Sequence, residues 1–160
     1  MKKTIVIFYS LQNNCEFIAD YICDKLNCDK HKIELKKGLK KDSFSKFVVG
    51  GMQAIFKINP KLLDYKIDFD KYDNVVIGSP VWGGNLSSPM RSLLNQEKIK
   101  DKNVFLYCCY AGDEGKLFEE TEKILSGNRI KFEMGFKEPL KNKEDFSDKI
   151  GKFLEEIQNT

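Results

Sequence analysis

Histidine is almost missing from this chain: His31 is the only one in 160 residues. Catalytic triads and histidine-rich metal sites therefore have next to no material to work with. A dominant charge is missing as well. Lys and Arg total 27 against 24 for Asp and Glu, and an excess of +3 is too small and too evenly spread to point to nucleic acid as a partner. The densest basic cluster, Lys36, Lys37, Lys40 and Lys41 beside Gly38, reads as a solvated surface loop and is given no function. The cysteines, Cys15, Cys23, Cys28, Cys108 and Cys109, contain no C-x-x-C pair, which argues against a zinc knuckle or a thioredoxin-type dithiol and suits reduced thiols in a cytoplasm. Long hydrophobic runs are absent too. Met1-Lys2-Lys3 followed by apolar residues mimics a signal peptide, but the run stops after Tyr9 at Gln12, Asn13 and Asn14, so neither a targeting segment nor a membrane span is expected.

What remains is enough for one ordinary monomeric domain with a core of its own, needing no disulfide or structural metal. Short apolar runs alternate with stretches of helical period, the mark of β-α units around a mostly parallel sheet. Thr4 to Tyr9, Asn74 to Ser79 and Asn103 to Cys109 are nearly continuous apolar runs, as strands covered on both faces should be. His31 to Leu35 and Ile130 to Phe136 are apolar mainly at alternate positions, as edge strands can be. Three central and two edge strands fit an α/β three-layer sandwich with a five-stranded parallel sheet in the order 2-1-3-4-5.

Helical stripes lie between the strands. One is Phe17, Ile18, Tyr21, Ile22 and Leu26, and a second is Phe44, Phe47, Val48, Gly51 and Ile55. A third helix is expected to take Ser88 as cap with Pro89 in its first turn, a fourth to follow Gly115, and a last to begin at Asn142 and bury Phe146, Ile150, Phe153, Leu154 and Ile157.

In such a sheet a ligand sits outside the C-terminal strand ends where the strand order reverses, so the loops after strands 1, 3 and 4 matter most. The first, Ser10-Leu11-Gln12-Asn13-Asn14-Cys15, runs from a buried strand straight into a helix whose first amides carry the positive dipole end. It can hold a phosphate on amide, hydroxyl and carboxamide donors, or be an ordinary helix cap by Asn13 or Asn14. It has no lysine, which excludes a Walker-type nucleotide site. The second loop, Pro80-Val81-Trp82-Gly83-Gly84-Asn85, sets the only tryptophan beside two glycines. Trp82 offers a flat apolar face for stacking, and the glycines allow close backbone approach to a planar ring; the plainer alternative is a tryptophan folded over the core. The third, Tyr110-Ala111-Gly112-Asp113-Glu114-Gly115, adds another aromatic ring, while its two acids suit a helix N-terminus. Cys108 and Cys109 end strand 4 near this place and read chiefly as small hydrophobes in a central strand.

With these residues in view, the chain resembles the flavodoxin family, in particular its branch whose middle loop reads G-S-P-V-W-G or close to it, the matching stretch here being Gly78 to Pro89. The resemblance extends over most of the chain, including Tyr72-Asp73 before strand 3 and the Gly112 to Gly115 turn. It implies FMN as cofactor, with phosphate in the first loop, the flavin ring between the second and third, and redox partner proteins as donor and acceptor. The first loop departs from the family's S-x-T-G-N-T: Ser10 and Asn14 match, but Gln12, Asn13 and Cys15 stand where Thr, Gly and Thr are usual. A thiol donates poorly to an anion, so FMN binding is expected to be weakened rather than abolished. The near-neutral charge also departs from the family's acidic habit and implies a less reducing low-potential couple.

Other uses of the architecture lack their residues. A receiver domain needs acids where Tyr9-Ser10 and Ser79-Pro80 stand, and a low-molecular-weight tyrosine phosphatase needs arginine where Tyr21 stands. Three readings survive: an electron carrier, an FMN-dependent reductase of a small substrate such as a quinone, and a flavin-free binding module.

Overall fold

The computed structural model describes residues 2–37 and 59–160. The elements run β1 (Thr4–Phe8), α1 (Asn14–Leu26), β2 (Asp29–Lys32), a 3-10 turn at Phe69–Lys71, β3 (Asn74–Trp82), β4 (Asn85–Leu86), α2 (Ser88–Gln96), β5 (Asn103–Tyr110), α3 (Leu117–Ile124), β6 (Arg129–Lys137) and α4 (Lys143–Gln158). The stripe from Phe44 to Ile55, with Gly38, Lys40 and Lys41, lies outside the described residues.

The sheet order is β2-β1-β3-β5-β6, every pairing along it parallel. This is the expected 2-1-3-4-5 arrangement with one short antiparallel strand, β4, added on β3. β1 is buried throughout, and β5 is buried from Asn103 to Cys109, as their continuous apolar runs require. β2 is exposed at Asp29 and Lys30 and partly buried at His31 and Lys32, and β6 has no buried residue before Gly135, as edges do.

Successive residues of a strand face opposite sides, and this divides the core in two. Ile5, Ile7, Val75, Ile77, Val104 and Leu106 pack with Met90, Leu93 and Leu94 of α2 and Leu117 at the start of α3. Val6, Phe8, Val76, Phe105 and Tyr107 pack on the other side with Ile18 and Ile22 of α1 and Phe146, Ile150, Phe153 and Ile157 of α4. Gly78 in β3 is required by this second layer: a Cβ there would lie 2.0 Å from Cζ of the Tyr107 ring on the neighbouring strand.

Several boundaries differ from expectation. The second strand is Asp29–Lys32 rather than 31–35, because β1 dictates its partner's extent: Ile5 pairs with Asp29 and Phe8 with Lys32, and beyond Phe8 only the Ile33 amide still bonds, to the Phe8 carbonyl at 2.7 Å. Leu35 bridges to Leu62 instead. The third strand runs on past Ser79 to Trp82, since Ser79 and Pro80 still pair with Cys108 and Cys109. Ser87, not Ser88, occupies the cap position of α2, and its hydroxyl is 2.8 Å from that of Ser79. Asn142 does cap α4, accepting from the Asp145 amide at 3.3 Å. Among the described residues no helix is long and apolar enough to cross a membrane.

Candidate functional site

β1, β3 and β5 all end at one edge of the sheet, and the chain leaves β1 and β3 toward opposite layers, so a gap opens between their loops. A cleft of about 290 Å³ lies there.

One end of it is polar and is made by the first loop. Ser10, Leu11, Gln12, Asn14 and Cys15 line the cleft. Asn13 does not; it takes the left-handed conformation, φ 65°, that turns the chain into α1 without a side-chain cap bond. Asn is among the few residues apart from glycine that adopt this readily. The Ser10 hydroxyl accepts from the Glu16 amide at 3.3 Å, and the Phe17 amide bonds to the Asn13 carbonyl at 2.9 Å. The amides of Gln12, Asn13, Asn14 and Cys15 have no hydrogen-bond partner among the described residues. They form a group of unspent donors at the positive end of a 13-residue helix.

The opposite wall is apolar and comes from the second and third loops. Pro80, Val81, Trp82, Tyr110 and Ala111 line it. Trp82 reaches the cleft with only a small part of its ring. It is 5% exposed and packs edge-on against Tyr9, with centroids 5.5 Å apart and planes at 88°. Tyr110 is half-buried and stands more open than the indole.

Gly83, Gly84 and Asn85 lie outside the cleft lining, and their geometry gives them another task. Gly83 and Gly84 both have positive φ, 56° and 75°, and form the two-residue turn that folds Asn85–Leu86 back on Val81–Trp82. The Asn85 carboxamide closes the turn by donating to the Gly83 carbonyl at 2.9 Å. Gly112, Asp113 and Gly115 also stay out of the lining: Asp113 accepts from the Gly115 amide at 2.8 Å, and the next amide, of Lys116, reaches the Gly84 carbonyl at 2.7 Å. The hairpin is further tied to α3, where Glu120 accepts from the Leu86 amide at 3.0 Å and pairs with Arg91 at 2.5 Å. These residues shape the walls rather than face the cleft.

Two lining residues were not among the sequence candidates for binding. Cys109 lies against the cleft floor, where burial and contact with Cys15 hold its thiol well above the ordinary range; burial raises Cys108 as well. Neither is a ready nucleophile, in keeping with a packing role. Glu138 enters from a fourth loop, after β6, with φ 42°, its amide bonded to the Tyr110 carbonyl at 2.9 Å and its carboxylate paired with Lys141 at 2.7 Å. That loop also covers the first one, where the Leu140 amide donates to the Asn14 side-chain oxygen at 3.2 Å. No motif in the sequence marks this loop, which follows the last of the five expected strands, Ile130 to Phe136.

The donor set and the walls fit a ligand with an anionic group at one end and a flat apolar body at the other. The amides and the Asn14 and Gln12 carboxamides suit a monophosphate, and Val81, Pro80, Ala111 and the Tyr110 ring suit an aromatic heterocycle.

No protein-family model and no curated protein matches the sequence. Solved structures do. A flavoprotein in complex with FMN from Lactobacillus acidophilus NCFM superposes with a TM-score of 0.71 at 23% identity, over 92% of this chain and 99% of that one. Oxidised flavodoxin 2 from Bacillus cereus gives 0.62 at 16% identity over 99% of both chains, and a flavodoxin from the domain Archaea gives 0.56 at 14% over 98% of this chain and 97% of its own. The fold is therefore flavodoxin-like.

Proposed function

We propose that the chain binds FMN in this cleft and carries electrons between redox partner proteins. The observation that supports the reading best is the pairing of unspent α1 amides with an apolar wall in one cleft at the reversal of strand order. The FMN complex of the Lactobacillus flavoprotein, which shares the fold, agrees with it.

Bound FMN would supply the ability to accept and release electrons; the protein supplies the place. The amides from Gln12 to Cys15 and the Asn14 carboxamide hold the phosphate, and Leu140 fixes the Asn14 side chain from behind. Pro80, Val81 and the Tyr110 ring orient the flavin and keep water from its faces, while Trp82 and Tyr9 brace that wall from within the core. None of the lining groups is a histidine and burial holds the Cys109 thiol protonated, so apart from the Glu138 carboxylate, already paired with Lys141, the site has little with which to do acid–base chemistry on a second substrate. This favours a carrier over a reductase.

Titration of the apoprotein into FMN, followed by flavin fluorescence and visible absorption, tests the binding. Quenching with micromolar affinity is expected; unquenched flavin at that level would leave only the architecture. Mixing the loaded protein rapidly with NADH or NADPH tests the role. A carrier should be reduced slowly without a reductase, and fast direct reduction would make it an enzyme.

A further inference from the structure

At the far end of α1 from the cleft, Cys23 and Cys28 come together. Cys23 lies in the last turns of the helix and Cys28 follows its end, with Asn27 between them in the left-handed conformation, φ 49°. That residue reverses the chain direction at the helix end and returns Cys28 to the side of Cys23. The two sulfurs are 3.2 Å apart and share a hydrogen bond, and the Cys23 thiol also points to the Asp29 carbonyl at 3.7 Å. Both side chains are partly exposed, whereas Cys15, Cys108 and Cys109 are 1%, 0% and 5% exposed. The spacing, with four residues between the cysteines, is not one that the sequence alone marks as a dithiol.

We infer that Cys23 and Cys28 form a redox-active dithiol that low-molecular-weight disulfides oxidise to an intramolecular disulfide. With both thiols protonated, Cys28 donates to the Cys23 sulfur and Cys23 to the Asp29 carbonyl. Once Cys28 gives up its proton, Cys23 can turn its own S–H to the Cys28 thiolate 3.2 Å away, which lowers the Cys28 pKa and keeps the proton on Cys23. Cys28 is thus the attacking group and Cys23 the resolving one. Cys28 thiolate attacks one sulfur of the small disulfide, forms a mixed disulfide and releases one small thiolate. Cys23 then loses its proton and attacks the Cys28 sulfur, which expels the second small thiolate. The protein pair gives up two electrons, the small disulfide is reduced to two thiols, and the two protein protons end on them. The site lies at the opposite end of α1 from the cleft and does not depend on bound flavin.

The experiment exposes the full chain to oxidised glutathione, traps remaining thiols with an alkylating agent, and reads the products by mass spectrometry after cleavage at lysine. Cleavage after Lys25 and Lys30 isolates Cys28 in the peptide 26–30. The expected product joins that peptide to the one carrying Cys23, with fragmentation placing the link at Cys23 rather than Cys15, and dithiothreitol reverses it. Cys23→Ser should instead accumulate a stable glutathione adduct on Cys28, and Cys28→Ser should react at least tenfold more slowly. Full alkylation of both thiols in the wild-type chain overturns the inference, as does equal glutathione labelling of all five cysteines. FMN titration of the same samples should be unchanged by oxidation, so a failure of the cleft and a failure of the dithiol are read separately.

Discussion

Gly115 stands so close to Gly84 that a Cβ on it would lie 2.2 Å from the Gly84 carbonyl oxygen and 2.5 Å from its Cα. The third loop and the hairpin of the second thus meet backbone to backbone, and the Lys116 amide seals the contact at 2.7 Å. Gly115 also has φ 56°, a conformation that costs a residue with a side chain about 1–2 kcal/mol. Gly115→Ala adds overpacking against main chain that cannot swing away, so a total loss of roughly 2–4 kcal/mol is expected. Urea denaturation should show it, and FMN binding should weaken as the apolar wall moves. A variant with wild-type stability would mean that the two loops are not held by this contact.

Tyr107 links the sheet to the first loop. Its ring fills the space over Gly78, and its hydroxyl donates to the Cys15 carbonyl at 2.9 Å, fully buried. Tyr107→Phe keeps the ring and removes one of that carbonyl's two bonds, the other being the helical one from the Ala19 amide in α1, at a cost of about 0.5–1.5 kcal/mol. Thermal unfolding should fall accordingly, and the loosened first turn of α1 should raise the FMN dissociation constant more than that for riboflavin, which has no phosphate.

Glu133 gives stability a pH dependence. Burial, then the carboxylates of Glu122 and Glu114, push its pKa up from 4.5 to about 7, and its Oε1 is buried without a hydrogen-bond partner among the described residues. A raised carboxylate binds its proton more tightly in the folded state, so its favourable contribution is complete below pH 4.5 and is lost as pH rises through 7. Melting temperature should therefore decline between those values, and Glu133→Gln should flatten the decline. An equally steep profile in the variant would assign the pH dependence to other groups.

Much of this arrangement was legible from the chain alone, for reasons that also show where legibility stops. Val75 to Ile77 and Val104 to Tyr107 are buried on both faces, so their apolar runs announced central strands. The start of β2 could not be read the same way, because it is dictated by where β1 offers partners rather than by residues 29–35 themselves. Gly83-Gly84 reads in the sequence as room for close approach of a ligand, whereas the pairing of Val81-Trp82 with Asn85-Leu86 makes it the turn of a hairpin. Glu138 and the Cys23–Cys28 contact depend on left-handed residues, Glu138 itself and Asn27, whose conformations no hydrophobic period encodes.

Cys15 stands where the first loop departs most from the family pattern. It lines the cleft, 1% exposed, at the second residue of α1. Cys15→Thr replaces a weak donor with a hydroxyl able to bond a phosphate, a gain of about 1.5–3 kcal/mol for a charged partner. The FMN dissociation constant should drop at least about tenfold. An unchanged constant would place the phosphate elsewhere.

Glu138 brings a carboxylate to a cleft proposed to take an anion, and Lys141, 2.7 Å from it, offsets that charge only in part because it is 79% exposed. Glu138→Gln keeps the shape and the backbone bond to Tyr110 while removing the repulsion, so FMN should bind about two- to fivefold more tightly at low ionic strength. Lys141→Met leaves the carboxylate unopposed and should weaken binding by a similar factor. Both effects should fade in 1 M salt, where screening extends over only about 3 Å. Riboflavin separates charge from distortion: lacking the phosphate, it should bind the wild type and both variants alike. A change in riboflavin affinity equal to that of FMN would show that the fourth loop acts by its position over Asn14 and not by its charge.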